Sequence, residues 1–255
     1  MLTRLRVAVS FLTILPISTP PDLTPEDLAG STAFFPVAGW IIGIFLISAA
    51  WLADHAGITP LCIAVILVGL EAWLTRGLHL DGLADVMDGF GGSFDRERRL
   101  AIMKDSSIGT FGAVGLILVL FFKVVGLESF LAAQPLTIRP DSWFLLILLP
   151  PVAARWAMAV LAYKSSYPRQ AGTAVAIVGN VRFADLFLGG VMILPLLSAG
   201  WLPVIAVVAA VLLPSFRLRK KAHSLLGGVT GDVLGASCEL GEAAGWLVLS
   251  LVMRI

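Results

Sequence analysis

Charge is scarce in this chain: Asp, Glu, Lys and Arg make up 14% of its 255 residues, against about 25% in ordinary soluble domains. With 58% hydrophobic residues and a mean hydropathy of +0.94, that shortage excludes a soluble globular domain. An excess of one sign is missing as well. The formal net charge is +1, so a strongly basic nucleic-acid binder is excluded and no nucleic-acid partner is expected. Cysteine is nearly absent. Cys62 and Cys238 have no CxxC or metal-like spacing and read as inert core thiols. A cleavage signal is missing too: the apolar stretch after Arg4 and Arg6 runs into Ser18-Thr19-Pro20-Pro21 with no A-x-A-like site. That stretch is therefore read as a retained interfacial or short embedded helix ending before Pro16, not a signal peptide.

What is present is a series of apolar blocks about 20 residues long, the length an α-helix needs to cross a core of about 30 Å. The expected fold is an all-α polytopic membrane bundle forming one integral membrane domain over residues 1–255. It has about seven transmembrane helices, with cytoplasmic or interfacial amphipathic helices beside them. The candidate spans are 33–53, 58–76, 108–127, 142–162, 184–199, 202–216 and 237–253. Pro195, Gly200 and Pro203 interrupt the fifth and sixth, which could instead form a hairpin or a broken helix. The stretch Thr19 to Asp27 reads as a surface loop. Segments 1–30, 76–107, 163–183 and 217–232 hold fourteen Lys and Arg, whereas the alternating loops and the tail hold only Arg139 and Arg254. The basic side is thus expected to be cytoplasmic, with the N-terminus inside, in a bacterial inner membrane.

The chemistry is concentrated in the basic segments. On a helix, Asp81, Asp85 and Asp88 of G-L-H-L-D-G-L-A-D-V-M-D-G-F-G-G (77–92) fall at about 0°, 40° and −20°, with Leu80, Leu83, Val86 and Met87 opposite. Three like charges on one stripe repel unless a cation neutralises them. An oxygen-only ligand set suits Mg²⁺ or Mn²⁺ rather than zinc. The bland alternative is a solvated acidic face, but the neighbouring sequence is nearly charge-free and abuts a span. A second acidic element, G-G-V-T-G-D-V-L-G-A-S-C-E (227–239), places Asp232 and Glu239 on one face with Gly235 and Ala236 between them. Gly228 and Gly231 are candidate substrate contacts there, and Glu242 lies off the stripe. In a third element, residues 98–112, Ser106 or Ser107 is expected to cap the third span and offer its N-terminus to a phosphate, with Lys104 beside it. Asp105 is a metal ligand or part of that cap. His79 adjoins the acidic helix as a candidate proton carrier or substrate contact. Within the spans lie Glu71, Lys123 and Arg155, each of which must be paired, snorkelling or functional. Arg155 is the better placed for a ligand phosphate, whereas Lys123 is a candidate phosphate contact or simply the partner of an acid.

Two acidic helices, basic side chains and helix starts on one face suit a nucleotide-diphosphate substrate. The strings H-L-D-G-L-A-D-V-M-D-G (79–89), M-K-D-S-S-I-G-T-F-G (103–112) and G-G-V-T-G-D-V-L-G-A-S-C-E-L-G-E (227–242) resemble the signature blocks of one family. That family is the cobalamin (5′-phosphate) synthases, or adenosylcobinamide-GDP ribazoletransferases. S-F-L-T-I-L-P-I (10–17) and F-P-V-A-G (35–39) are similar to its start, so the resemblance covers nearly the whole chain. It implies a magnesium-dependent transferase in which the ribose 3′-OH of α-ribazole, or of its 5′-phosphate, attacks the cobinamide-linked phosphate of adenosylcobinamide-GDP. GMP leaves and adenosylcobalamin or its 5′-phosphate results. By position, Asp81, Asp85, Asp88, Asp105, Asp232 and Glu239 match the family's acidic residues, and Lys123 and Arg155 match charged ones. Arg76 stands where the family usually has a small residue, the loop 164–183 aligns poorly, and Glu71 lies outside the motifs. A CDP-alcohol phosphotransferase would need D-G-x-x-A-R, but Asp85 follows Ala84 here. A cation transporter would hold its carboxylates near the midplane. The lipid bilayer is the expected partner besides the substrates, and nothing excludes a homo-oligomer.

Overall fold

A computed structural model describes residues 1–133, 144–172 and 174–253, and among these every regular element is helical. The helices are α1 (Leu2–Leu12), α2 (Pro25–Ser31), α3 (Phe35–His55), α4 (Pro60–Leu74), α5 (Leu78–Gly92) and α6 (Arg96–Ile102). They continue with α7 (Thr110–Ala132), α8 (Phe144–Ala162), α9 (Phe183–Val191), α10 (Trp201–Leu226) and α11 (Gly231–Val252). Arg139, Arg254 and the first two residues of the expected fourth span lie outside the described residues. The surface loop expected up to Asp27 ends earlier. Thr24 accepts the Asp27 N–H at 3.1 Å, Asp27 reaches back, and Pro25 takes the first helical position, so α2 begins there.

Among the described residues, four helices are long and apolar enough to cross a membrane: Pro25–His55, Thr110–Ala132, Phe144–Ala162 and Trp201–Leu226. The pair Pro60–Leu74 and Leu78–Gly92 makes a fifth if a bend of 91° is counted within one span. Of the seven expected spans, the remaining two differ for separate reasons. The apolar stretch Phe183–Ala199 is short and breaks, at Met192 and Ile193, into a 3₁₀ turn over Leu194–Ala199. Helix α11 has 22 residues, enough to cross, but carries Asp232, Glu239 and Glu242. α8 is the innermost helix, 78% of its apolar window being buried, against 28% for α10.

Two backbone features aim the acidic helix. Arg76 and Gly77 have φ of 55° and 67°, a left-handed step that ends α4 and redirects the chain into α5, out of the spanning direction. At Arg76, which carries a Cβ, this conformation costs about 1–2 kcal/mol. Its guanidinium donates to the Ser10 carbonyl at 3.3 Å and ties the bend to α1. Next, α5 crosses the start of α11 at backbone contact. A Cβ at Gly82 would lie 2.9 Å from the Asp232 Cα, and one at Gly235 would lie 3.2 Å from the His79 Cα. The space beside these glycines is filled by the facing helix, not by a ligand.

Candidate active site

Past the bend, outside the spanning helices, α5 presents Asp81 exposed and Asp85 half-buried. The first turn of α11 brings Asp232 against them through the Gly82 contact. The loop after α8 supplies the counter-charge: Arg169 Nη1 lies 3.1 Å from Asp232 Oδ2. That loop is pinned at Ser166, whose carbonyl accepts the Val229 N–H at 2.8 Å. A side chain at Gly228 would strike the same carbonyl. Gly228, expected to contact substrate, therefore seats the loop. Burial, then the charges of Asp232 and Asp81, push the Asp85 carboxyl up to about 7. Asp232 is also raised, by burial, against the pull of Arg169. Among the described residues no three His, Cys, Asp or Glu side chains are already gathered to hold a metal ion. The like-charge crowding and oxygen-only donors of Asp81, Asp85 and Asp232 nevertheless fit a hard divalent cation.

Asp88 departs from the expected ligand set. Its carboxylate accepts the N–H groups of Gly109 and Gly112 at 2.7 and 2.8 Å, and it is buried. It caps α7 from across the fold, where an anion meets the free N–H groups and positive end of the helix. Gly109 and Gly112 lack the side chains that would collide with it. The cap expected from Ser106 or Ser107 is thus corrected. Both serines, with Lys104, lie exposed in the preceding loop. Asp105 accepts the Ser107 N–H at 2.9 Å, a local turn that also holds its pKa below the usual value.

The largest correction concerns Lys123, Arg155 and Glu239. All are buried in one ionic network inside the bundle. Lys123 Nζ lies 2.9 Å from Glu71, 3.0 Å from Glu239 and 2.6 Å from Glu242. Arg155 pairs with Glu71 at 3.2 Å and abuts Glu242. Four helices, α4, α7, α8 and α11, are tied together here. Neither cation is free for a phosphate, and Glu239 is turned from the acidic face toward Lys123.

Asp81 lines two adjoining cavities. One, of about 70 Å³, is also bounded by His79, Gly231, Asp232 and Met158. The other, of about 470 Å³, opens past Phe11, Arg76 and Ile108. His79 is 1% exposed, and neither ring nitrogen has a hydrogen-bond partner among the described residues. Burial, seconded by the Arg155 charge, pushes its pKa down to about 3, so the ring at this cavity is neutral.

Residues 4–250 match the family model described as cobalamin-5-phosphate synthase. The chain belongs to the cobalamin-5-phosphate synthase family. Adenosylcobinamide-GDP ribazoletransferases from Syntrophobacter fumaroxidans and Chlorobium phaeobacteroides are 42% and 40% identical to it. The alignments cover 92% and 94% of this chain and 93% and 94% of theirs. The corresponding protein of Chlorobaculum tepidum is 36% identical over 100% of this chain and 97% of its own length. No solved structure matches. In this synthase-family chain the three motif blocks become α5, the turn into α7, and the start of α11, which meet around Asp81, Asp88 and Asp232. Arg169 was not anticipated, because its loop carries no periodicity and pairs with the site only through tertiary folding.

Proposed function

We propose that this chain joins adenosylcobinamide-GDP to α-ribazole or its 5′-phosphate, releasing GMP and forming adenosylcobalamin or its 5′-phosphate. The observation that carries this reading is the convergence of the three motif blocks on one acidic face beside an open cavity. The ribose 3′-OH forms a new O–P bond to the cobinamide-linked phosphate, the bond from that phosphate to the bridging oxygen breaks so that this oxygen leaves with GMP, and the hydroxyl proton is released to water. Asp81, Asp85 and Asp232 would hold Mg²⁺, with Mn²⁺ as a substitute, and the ion would supply charge neutralisation for the diphosphate. Arg169 sits on the same face and is able to turn from Asp232 to a phosphate oxygen. The neutral His79 and the backbone at Gly231 bound the small cavity and suit an uncharged hydroxyl. Purified protein in liposomes, given adenosylcobinamide-GDP and α-ribazole, is expected to release GMP only with Mg²⁺ present. Absence of product with both substrates saturating would overturn the reading.

If Arg169 meets the diphosphate, Arg169→Gln raises the KM for adenosylcobinamide-GDP about tenfold or more, the worth of a charged hydrogen bond. The KM for α-ribazole moves little, and Arg169→Lys restores part of the loss. An unchanged KM for both substrates in the Gln variant removes Arg169 from the site.

The acidic face is placed on the cytoplasmic side of the inner membrane, a reading supported by the fourteen-to-two distribution of Lys and Arg. Ser93→Cys and Ser224→Cys, made in a Cys62→Ser background because Cys62 is exposed, should resist an impermeant thiol reagent outside intact cells. Both should react after the cells are opened. Labelling of either from outside inverts the topology.

A further inference from the structure

The acidic stripe occupies one side of α5, and its apolar side faces a groove that the proposed reaction does not use. This groove, about 540 Å³, runs between α5, α10 and α11. Its walls are side chains such as Met87, Phe90, Leu213, Leu240, Ala244 and Val248, and only Arg217 and Lys221 bring charge to it. The polarity is ordered along its length. Ala210 lies at one end of the α10 wall and Lys221 at the other, a rise of about 16 Å at 1.5 Å per residue. One leaflet accounts for half of a hydrocarbon core of about 30 Å. Arg217 and Lys221 are one helical turn apart and so share a face. Lys221 Nζ stands 5.2 Å from the centre of the Phe90 ring, and Arg217 has no ion-pair partner among the described residues. The wall opens outward, since Leu213 is 49% exposed and α10 has the least buried of the apolar windows.

We propose that this groove binds an anionic phospholipid, one acyl chain lying along α10 and α11 and the headgroup phosphate held by Arg217 and Lys221. A zwitterionic lipid offers the chain but cancels the charge, so the two cations select for net negative headgroups. The bound lipid covers the back of α5, the helix that carries Asp81 and Asp85. The inference rests on the membrane reading of the fold and not on the reaction, so its test reads lipid rather than product.

Purified full-length protein in nanodiscs of equal phosphatidylglycerol and phosphatidylcholine is probed by native mass spectrometry and by photoactivatable phosphatidylglycerol. The expected result is at least tenfold preferential retention of phosphatidylglycerol, with cross-links on α10 or α11 groove residues. Arg217→Gln combined with Lys221→Gln abolishes the preference. Arg98→Gln combined with Lys220→Gln removes equal charge outside the groove and preserves it. Ala244→Phe fills the apolar part and excludes the lipid while keeping both cations. Equal retention of the two lipids by the unaltered protein overturns the proposal, as does a preference that survives the Arg217/Lys221 change. Cross-linking of Leu213→Cys between two chains in place of lipid capture assigns the groove to self-association and also overturns it.

Discussion

Asp85→Asn is expected to lower Mg²⁺-dependent turnover by at least a hundredfold with no loss of folded protein. Asp85 is crowded by Asp232 and Asp81 and carries a carboxyl pushed up to about 7. An amide of the same volume relieves that repulsion, so the fold has no reason to suffer. What is lost is a negative charge for the cation that the acids fit, about 2.7 kcal/mol for a hundredfold drop at 1.36 kcal/mol per tenfold step. Asp88→Asn is the informative companion. Its carboxylate caps α7 through Gly109 and Gly112 and is buried, so the change is expected to cost about 1.5–3 kcal/mol of stability and to leave the Mg²⁺ concentration for half-maximal rate unaltered. Turnover of Asp85→Asn near that of the unaltered protein at saturating Mg²⁺ would strike Asp85 from the ligand set.

The second large effect lies in the bundle interior. Lys123→Met should remove most folded protein from the membrane, because Glu71, Glu239 and Glu242 would be left with only Arg155 between them. Removing one partner of a buried ion pair costs about 3–5 kcal/mol, whereas replacing the whole set by apolar or neutral groups is often tolerated. Adding Glu239→Gln and Glu242→Gln to Lys123→Met is therefore expected to recover yield, measured as monodisperse protein in detergent. Arg155→Lys belongs to the same test. As a phosphate contact it would raise the KM for adenosylcobinamide-GDP. As a member of the network it lowers yield and thermal stability and leaves both KM values unchanged on equal folded protein. A normal yield with a raised KM would return Arg155 to the substrate site.

These contrasts mark where sequence was informative. Apolar block lengths were enough to predict a helical membrane bundle, because bilayer thickness acts on each helix separately. The helical spacing of Asp81 and Asp85 placed them on one face, since three-and-four spacing is a local property. Asp88 shares that spacing, yet its partner is the start of α7, and no periodicity within α5 reports what lies across from it. Glu239 was assigned by its register with Asp232. Seven residues separate them, about 10 Å along the helix, enough to pass from the outer face into the interior. Glu71 and Glu242 carried a usable signal, since buried charges in spans must be paired. Which of the five charges paired with which was not legible, because four helices that are distant in sequence meet there. Arg169 depended wholly on tertiary placement.

The ionic network also imposes an order on how the chain is made. Glu71 leaves the ribosome 52 residues before Lys123 and 84 before Arg155, and Glu239 follows Arg155 by another 84. At about 5–20 residues per second, α4 waits several seconds in or beside the membrane with its carboxyl unmatched. α7 and α8 then arrive, and for a further interval two cations share a single acid. Only the last helix, with Glu239 and Glu242, supplies enough negative charge to seat both. Because α11 also delivers Asp232 to α5, both buried cations gain their carboxylate partners and the outer acidic face is completed in one event. Nascent chains arrested before residue 231 should accordingly be held by insertion factors and degraded when released, so that a half-built acidic surface never accumulates.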